Sequence, residues 1–331
     1  MTGRKRGRRR QPRRQRPQLQ PRFRPQHQRQ QWLRLQPQLR QQLHQSGPRS
    51  AVVAAAQDEH TLQAVLAARR DGLIHPILVG PPDQLRPLLD RLGASVPDED
   101  LVPAGTEAEC AARAVALVRQ GRGSLLIKGR LSTGALLGAV VDRAGGIRGD
   151  GLLSHVAILE VPAYHKLLYI TDGGLVVAPG LEEKRAILRN ALSLCRFLGY
   201  ERPKAAALCA AETVSPRMPE TGDAAALREE GERGDFGPCL VEGPISLDLA
   251  TSAEAARLKG YCSPVAGDAD ILLVPSIAAG NLLGKALYGL AGGKMAGVVL
   301  GASVPIALNS RGASWEEKYN PILICTAMSR R

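Results

Sequence analysis

Val265-Ala-Gly-Asp-Ala-Asp-Ile-Leu-Leu-Val-Pro-Ser-Ile-Ala-Ala-Gly-Asn-Leu-Leu-Gly-Lys-Ala-Leu287 leads through a glycine-rich link into Ala296-Gly-Val-Val-Leu-Gly-Ala-Ser-Val-Pro-Ile-Ala-Leu-Asn-Ser-Arg-Gly-Ala-Ser314. The apolar run at 271–274 stops at Pro275, and an amphipathic segment opens around Gly280-Asn281. Two more apolar runs follow at 296–300 and 304–308, and the second hands Asn309-Ser310-Arg311-Gly312 to a turn before another helix. Short buried strands that deliver polar groups into loops at helix starts are how an open α/β sheet builds an anion site. The question this stretch raises is whether Ser310 and Arg311 form one.

Outward from it, the same rhythm covers most of the chain. Apolar runs at 51–56, 76–80 and 124–128 alternate with helical patterns at 58–70 and 106–120, the latter opened by the capping-box pair Thr106 and Glu109. Between 155 and 171 two runs flank Pro162-Ala-Tyr-His165, which reads as a hairpin. Helices at 181–198, 221–231 and 252–259 and strands at 204–209, 239–242 and 270–274 then resume the alternation. Repeated βα units predict mostly parallel sheets covered on both faces.

The formal charge of +13 is unevenly placed. Residues 1–50 carry 15 Lys and Arg and no acid, so the other 281 residues hold 29 basic against 31 acidic side chains. The first fifty residues, rich in Arg, Gln and Pro, read as a disordered basic tail with almost nothing to bury. Four readings of it stand open: phosphate-directed nucleic-acid association with Phe23 and Trp32 to stack, a targeting peptide, an inert solvated tail, or residues upstream of a later start. The six cysteines and six histidines are scattered without metal spacing, which predicts buried thiols and no metal site. No apolar run reaches the length of a membrane span, and no apolar segment follows the basic start as in a secretory signal. The expectation is a cytoplasmic protein.

Several local motifs admit two readings. Gly280-Asn-Leu-Leu-Gly284-Lys285-Ala286 is one residue short of a phosphate-binding loop and has Ala286 where a hydroxyl is needed, which argues against an ATPase. In Asn309-Ser310-Arg311-Gly312, Arg311 offers a planar fork for a phosphate and Ser310 a donor for a developing oxyanion; the alternative is a surface turn. Glu316 or Glu317 would serve as a base, although Ser314-Trp-Glu-Glu317 is itself a capping box. Lys128-Gly129, at a strand end before Ser132 and Thr133, is a second anion cradle or an exposed strand end. Gly267-Asp268 is a ligand loop or a turn. His155 and His165 flank the hairpin and read as structural.

Taken in order, these blocks resemble the phosphate acetyl/butyryltransferase family, with the closer likeness to its butyryltransferases. The resemblance is carried by Leu125-Leu-Ile-Lys-Gly129, Gly151-Leu-Leu-Ser-His-Val-Ala157, Ile170-Thr-Asp172 and Val214-Ser-Pro-Arg-Met-Pro219. It continues through Val241-Glu-Gly-Pro-Ile-Ser-Leu-Asp248, Ser263 to Pro275, Ala279-Gly-Asn281 and Asn309-Ser-Arg311, and covers about residues 52–328. It implies two α/β domains of the isocitrate/isopropylmalate dehydrogenase type, 51–153 plus 300–331 and 154–299, with the active-site cleft between them. It implies reversible transfer of a short acyl group between coenzyme A and inorganic phosphate by a homodimer or larger homo-oligomer, with no cofactor beyond the coenzyme A thioester substrate. Ser310 and Arg311 then polarise the acyl carbonyl and bind phosphate, and Glu317 or Glu316 deprotonates the thiol. Lys128, Gly129, Thr133, Gly267, Asp268, Gly280, Asn281 and Lys294 form the expected contact set for phosphate and coenzyme A. The chain departs from the family pattern at Ala135 and Gly138, where an Asp and an Arg are common, and at Val176, Ser276 and Ala278. Arg143 and Arg148 are the sequence neighbours that could replace the missing cation. A weakened member that binds coenzyme A or acyl phosphate as a sensor or partner is the alternative these departures suggest.

Overall fold

The computed structural model describes residues 31–44 and 47–329. After a first helix, α1 (Gln31–His44), the chain runs through β1 (Arg49–Ala54), α2 (Glu59–Arg70), β2 (Ile74–Gly80), α3 (Pro82–Arg91), β3 (Leu101–Pro103), α4 (Glu107–Arg119), β4 (Leu125–Lys128) and α5 (Thr133–Val140). β5 (Ser154–Glu160) and β6 (Leu168–Thr171) form the antiparallel hairpin that the sequence predicts. The alternation resumes with α6 (Leu181–Phe197), β7 (Lys204–Leu208), α7 (Pro219–Arg233), β8 (Leu240–Ile245), α8 (Leu247–Thr251), α9 (Ala253–Lys259), β9 (Ile271–Leu273) and α10 (Ile277–Gly289). β10 (Lys294–Leu300), β11 (Ile306–Ala307) and α11 (Trp315–Met328) follow.

All eleven strands join one sheet in the order β3-β2-β1-β4-β11-β10-β5-β6-β9-β7-β8. β3, β2, β1, β4 and β11 are mutually parallel, and so are β6, β9, β7 and β8. Between these blocks β10 and β5 are antiparallel to both neighbours. Three reversals leave the two blocks pointing in opposite directions, with Ile127, Ala307, Val298 and Val156 on one row and Ala157, Ile170 and Leu272 on the next, so the strands of both blocks end nearly level with one another. The segments 51–153 plus 300–331 and 154–299 meet along β11 and β10.

The strand period of two divides the core. On β1, Ala51 and Val53 face one side, and Val52 and Ala54 face the other. On the first side a continuous core spans both blocks, from Val53 and Leu62 to Leu188 and Ile271. On the second side the buried residues fall into two separate groups. One lies under α4 and α5 with Val115, Leu136 and Ile306, the other under α8, α9 and α10 with Leu249, Ile170 and Leu272. The interruption lies over β10 and β5 and forms the cleft between the blocks. Each buried leucine in its walls contributes about 2 kcal/mol of hydrophobic stabilisation. Helices lined mainly by Ala, Val, Leu and Ile pack close to the sheet, in keeping with an aromatic content of 3%.

The reading of residues 1–50 as a tail with nothing to bury is corrected for 31–44. Trp32, Leu39 and Leu43 are buried, with Leu35 packed against the same core, at the three- and four-residue spacing of one helix face. That face docks on α11: Gln36 Nε2 donates to Asn320 Oδ1 at 2.7 Å, and Arg40 pairs with Asp71 at 3.1 Å while lying over the Tyr319 ring. The apolar stripe is hidden in composition by the Arg and Gln that lie between its members in the chain. Trp32 is therefore unavailable to stack on nucleic-acid bases, and Phe23 lies outside the described residues. No helix among the described residues is long and apolar enough to cross a membrane.

Candidate active site

Three segments converge at the C-terminal ends of β1, β4 and β11. β1 is followed by Ala55, whose φ of 54° makes it the sole left-handed non-glycine among the described residues. Such a conformation persists only where the surroundings hold it, and it concentrates at functional sites. Here Gly129 N donates to Ala54 O at 2.9 Å and Arg130 N to Ala55 O at 2.7 Å. A Cβ on residue 129 would collide with the Ala55 carbonyl oxygen, so glycine is required for β4 to turn this close to β1. Lys128, one residue before, is buried.

Charge gathers around that lysine. Burial, followed by the nearby Lys318 and Arg311 cations, pushes the Lys128 ammonium down to about 8. Lys318, also buried, donates to Asp58 Oδ2 at 2.7 Å and to Thr61 Oγ1 at 3.0 Å. Burial alone would raise the Asp58 carboxyl, but the bonds from Lys318 and Thr61 outweigh it and hold the carboxyl below its ordinary value. Glu107 accepts Ser132 N at 2.9 Å; that bond chiefly, with the Ser132 hydroxyl and the fields of Arg311 and Lys128, keeps its carboxyl low. Lys128, Lys318 and Arg311 thus crowd one region, with the Asp58 and Glu107 carboxylates offsetting part of the repulsion on Lys128. Like charges held together by the fold relax when an anion arrives, and a guanidinium fork beside an ammonium suits a phosphate. Ser310 is exposed on the same turn as Arg311.

Of the residues predicted from sequence, this region brings together Lys128, Gly129, Ser310 and Arg311. Thr133 opens α5 close by, although Ser132 is the cap, accepting Ala135 N at 3.1 Å. Glu317 fulfils the capping alternative: its Oε2 accepts Ser314 N at 2.9 Å and the Tyr288 hydroxyl at 3.2 Å. Asn309 fixes the turn, accepting Gly297 N at 2.8 Å and donating to Glu317 O at 2.6 Å. Glu316 is exposed; its carboxyl is lowered chiefly by its own backbone N–H at the helix start, then by the Ser314 hydroxyl, with Lys294 and His60 adding their fields. Lys294, opposite Glu160 at the start of β10, lines a cavity of about 660 Å³ with Glu316, Trp315 and α1.

The remaining candidates sit just before β9 and on α10. Asp268 holds His165 at 2.6 Å, Lys166 at 2.9 Å and Lys204 at 2.6 Å, and Gly267 takes the left-handed turn before it. β9, which they precede, is five strands from β4, about 24 Å at the usual strand spacing. Gly280 and Asn281 lie within α10, where Gly280 backs onto Gly173 and Asn281 Nδ2 donates to Gly173 O at 3.3 Å. The loop that opens α10 follows β9. Arg143 and Arg148 follow α5, back at the N-terminal end of β4, where Arg148 bridges to Ala302. Neither replaces a cation at the cluster. Lys318, Asp58 and Glu107 were missed in the sequence. The available signal was a lone lysine leading the apolar run 319–325, but nothing local ties it to Asp58, 260 positions away.

Known proteins share this arrangement of elements. The family described as phosphate acetyl/butaryl transferase matches residues 105–326. The phosphate butyryltransferase of Clostridium acetobutylicum is 37% identical over 281 residues, 85% of this chain and 93% of that protein. The phosphate acetyltransferase of Rhizobium meliloti is 43% identical over 267 residues, 81% of this chain and 84% of that protein. The branched-chain phosphotransacylase of Enterococcus faecalis V583 superposes with a TM-score of 0.71 at 31% identity, over 85% of this chain and 100% of that one. A phosphotransacetylase from Streptococcus pyogenes shares the fold, with a TM-score of 0.74 at 20% identity over 89% and 98% of the two chains.

Proposed function

The chain belongs to the phosphate acetyl/butaryl transferase family, and from that premise we infer that it is a phosphate acyltransferase moving a short-chain acyl group reversibly between coenzyme A and inorganic phosphate. The butyryl reaction, butyryl-CoA and phosphate to butyryl phosphate and coenzyme A, is the form we propose. The observation that carries the site assignment is the crowding of Arg311 and Lys318 on buried Lys128 at the ends of β1, β4 and β11.

In this reading phosphate docks against Arg311 and Lys128, with Glu107 keeping Ser132 and the two cations in register. A phosphate oxygen attacks the thioester carbonyl, Ser310 donates to the carbonyl oxygen as it gains charge, and the carbon–sulfur bond breaks to release the thiolate. A prearranged donor and paired cations act on charge that develops only during reaction, which is where binding energy accelerates chemistry. Acyl transfer of this kind needs no electron acceptor, so we propose an enzyme without metal or redox cofactor, working in the cytoplasm as a homodimer or larger homo-oligomer.

The test is coenzyme A release from butyryl-CoA with and without phosphate. Phosphate-dependent release is expected, and Arg311→Ala should raise KM for phosphate at least about tenfold, the loss of a charge-assisted pair. Absence of phosphate-dependent release with acetyl-, butyryl- and branched acyl-CoA alike would overturn the assignment.

A further inference from the structure

We infer that Leu175 and Leu308 form the wall against which the alkyl part of the acyl group lies, and that they select chains longer than acetyl; the inference rests on the acyltransferase reading. Leu175 belongs to the loop after β6, in the second block, yet it packs against the core group under α4 and α5 in the first. Among the described residues, Leu175 and Val299 are the members of 154–299 in that group. Leu137 of α5 and Leu308 after β11 pack on the same group, and all three leucines keep part of their surface exposed.

Short contacts carry this loop to the cation cluster. A Cβ on Gly174 would lie 2.9 Å from His155 Cγ, and a Cβ on Gly297 would lie 2.8 Å from His155 Nε2 and collide with the Leu308 carbonyl oxygen. Gly174, the His155 ring, Gly297 and Leu308 therefore follow one another in direct contact, and Leu175 is next to the first of them. At the far end Asn309 Oδ1 accepts Gly297 N at 2.8 Å, and Ser310 and Arg311 are the next two residues. Leu308 stands one step past Ala307 on β11, and Lys128 one step past its partner Ile127 on β4, so the leucine and the buried lysine are cross-strand neighbours.

The loop offers side chains rather than amides. Buried Asp172 accepts Gly174 N at 2.7 Å and Leu175 N at 2.9 Å on Oδ1, and His155 N at 3.0 Å and Val176 N at 3.4 Å on Oδ2. Amides already turned onto a carboxylate cannot form the anion nest that a glycine turn after a strand otherwise makes. Behind the loop, Asn281 Nδ2 donates to Gly173 O at 3.3 Å, and a Cβ on Gly173 would lie 2.8 Å from the Gly280 carbonyl carbon. What the loop brings to the first block is the apolar Leu175. The two ends of an acyl phosphate thus meet different chemistry: Lys128 and Arg311 for the phosphoryl group, Ser310 for the carbonyl, and leucine beyond. Each methylene past acetyl that is removed from water against that wall raises kcat/KM.

The experiment is kcat/KM for acetyl-, propionyl-, butyryl-, isobutyryl- and hexanoyl-CoA at saturating phosphate. In the wild type it should rise at least about tenfold from acetyl to butyryl, the discrimination that one or two methylenes give in an apolar pocket. A wild type that uses acetyl-CoA as well as butyryl-CoA overturns the inference. Leu175→Trp fills the wall and should cut the ratio of butyryl to acetyl at least about tenfold; Leu175→Ala opens it and should raise hexanoyl relative to butyryl by a similar factor. A leucine that only braces the two blocks would lower all five substrates together, and unchanged ratios in a folded variant overturn the inference. If the tryptophan variant does not fold, Leu175→Ala and the wild-type series decide it. Turnover whose ratios ignore residue 175 removes only this inference, whereas no phosphate-dependent turnover of any acyl-CoA by the wild type defeats the acyltransferase reading with it.

Discussion

Lys318, in the first turn of α11, holds Asp58 Oδ2 at 2.7 Å, and the same oxygen caps α2 by accepting Thr61 N at 2.8 Å. One ion pair therefore fastens the C-terminal helix to the loop after β1, beside Lys128. Lys318→Met removes one partner and leaves a largely buried carboxylate, which should destabilise the fold by about 3 kcal/mol. Urea unfolding measures this. The double variant Asp58→Asn with Lys318→Met should recover part of the loss, because it no longer strands a charge.

Lys128 should make stability and phosphate binding depend on pH in a defined way. Its folded-state value, about 8, lies below the ordinary 10.5, so the unfolded chain binds the extra proton between those values and wild-type stability gains with pH across that window. Lys128→Met should therefore be more stable than the wild type at pH 7, with the difference shrinking from about pH 8 and gone near 10.5. In the wild type, KM for phosphate should rise above about pH 8 as the ammonium loses its proton. Thermal melts and initial rates over pH 6.5–10 check both signs.

α1 should behave as part of the folded body. Trp32→Ala empties a buried site at the interface with α11 and should lower stability by about 3 kcal/mol, seen as a lower Tm. Deleting residues 1–45 should have a comparable effect and should increase hydrogen exchange at Tyr319 and Asn320, which α1 covers through Arg40 and Gln36.

Much of the fold was legible because its signals are local. The apolar runs at 76–80 and 124–128, the Thr106 and Ser314 caps and the hairpin around Pro162 each depend on neighbours within a few residues, and each stands where the sequence puts it. The short strand β3 and the helix α3 carry weaker periodicity and were not separated from loops. α1 was lost because a mean over fifty residues of basic composition hides a four-residue apolar stripe.

By itself the sequence determined the βα alternation, the family, and the delivery of Lys128-Gly129 and Ser310-Arg311 to loops after strands. Only the tertiary structure decided which of those loops share a place. The strand order packs Gly280 and Asn281 of α10 against Gly173 after β6 and leaves Asp268 in an ion-pair network of its own. The same folding joins Lys318 to Asp58 across 260 residues and Arg311 to Lys128, because strand order and helix packing, which chain spacing does not encode, decide which charges meet. Gly280–Asn281 carries a helix against Gly173, while Ser310–Arg311, from the same stretch of chain, turns into the cation cluster at the end of β4.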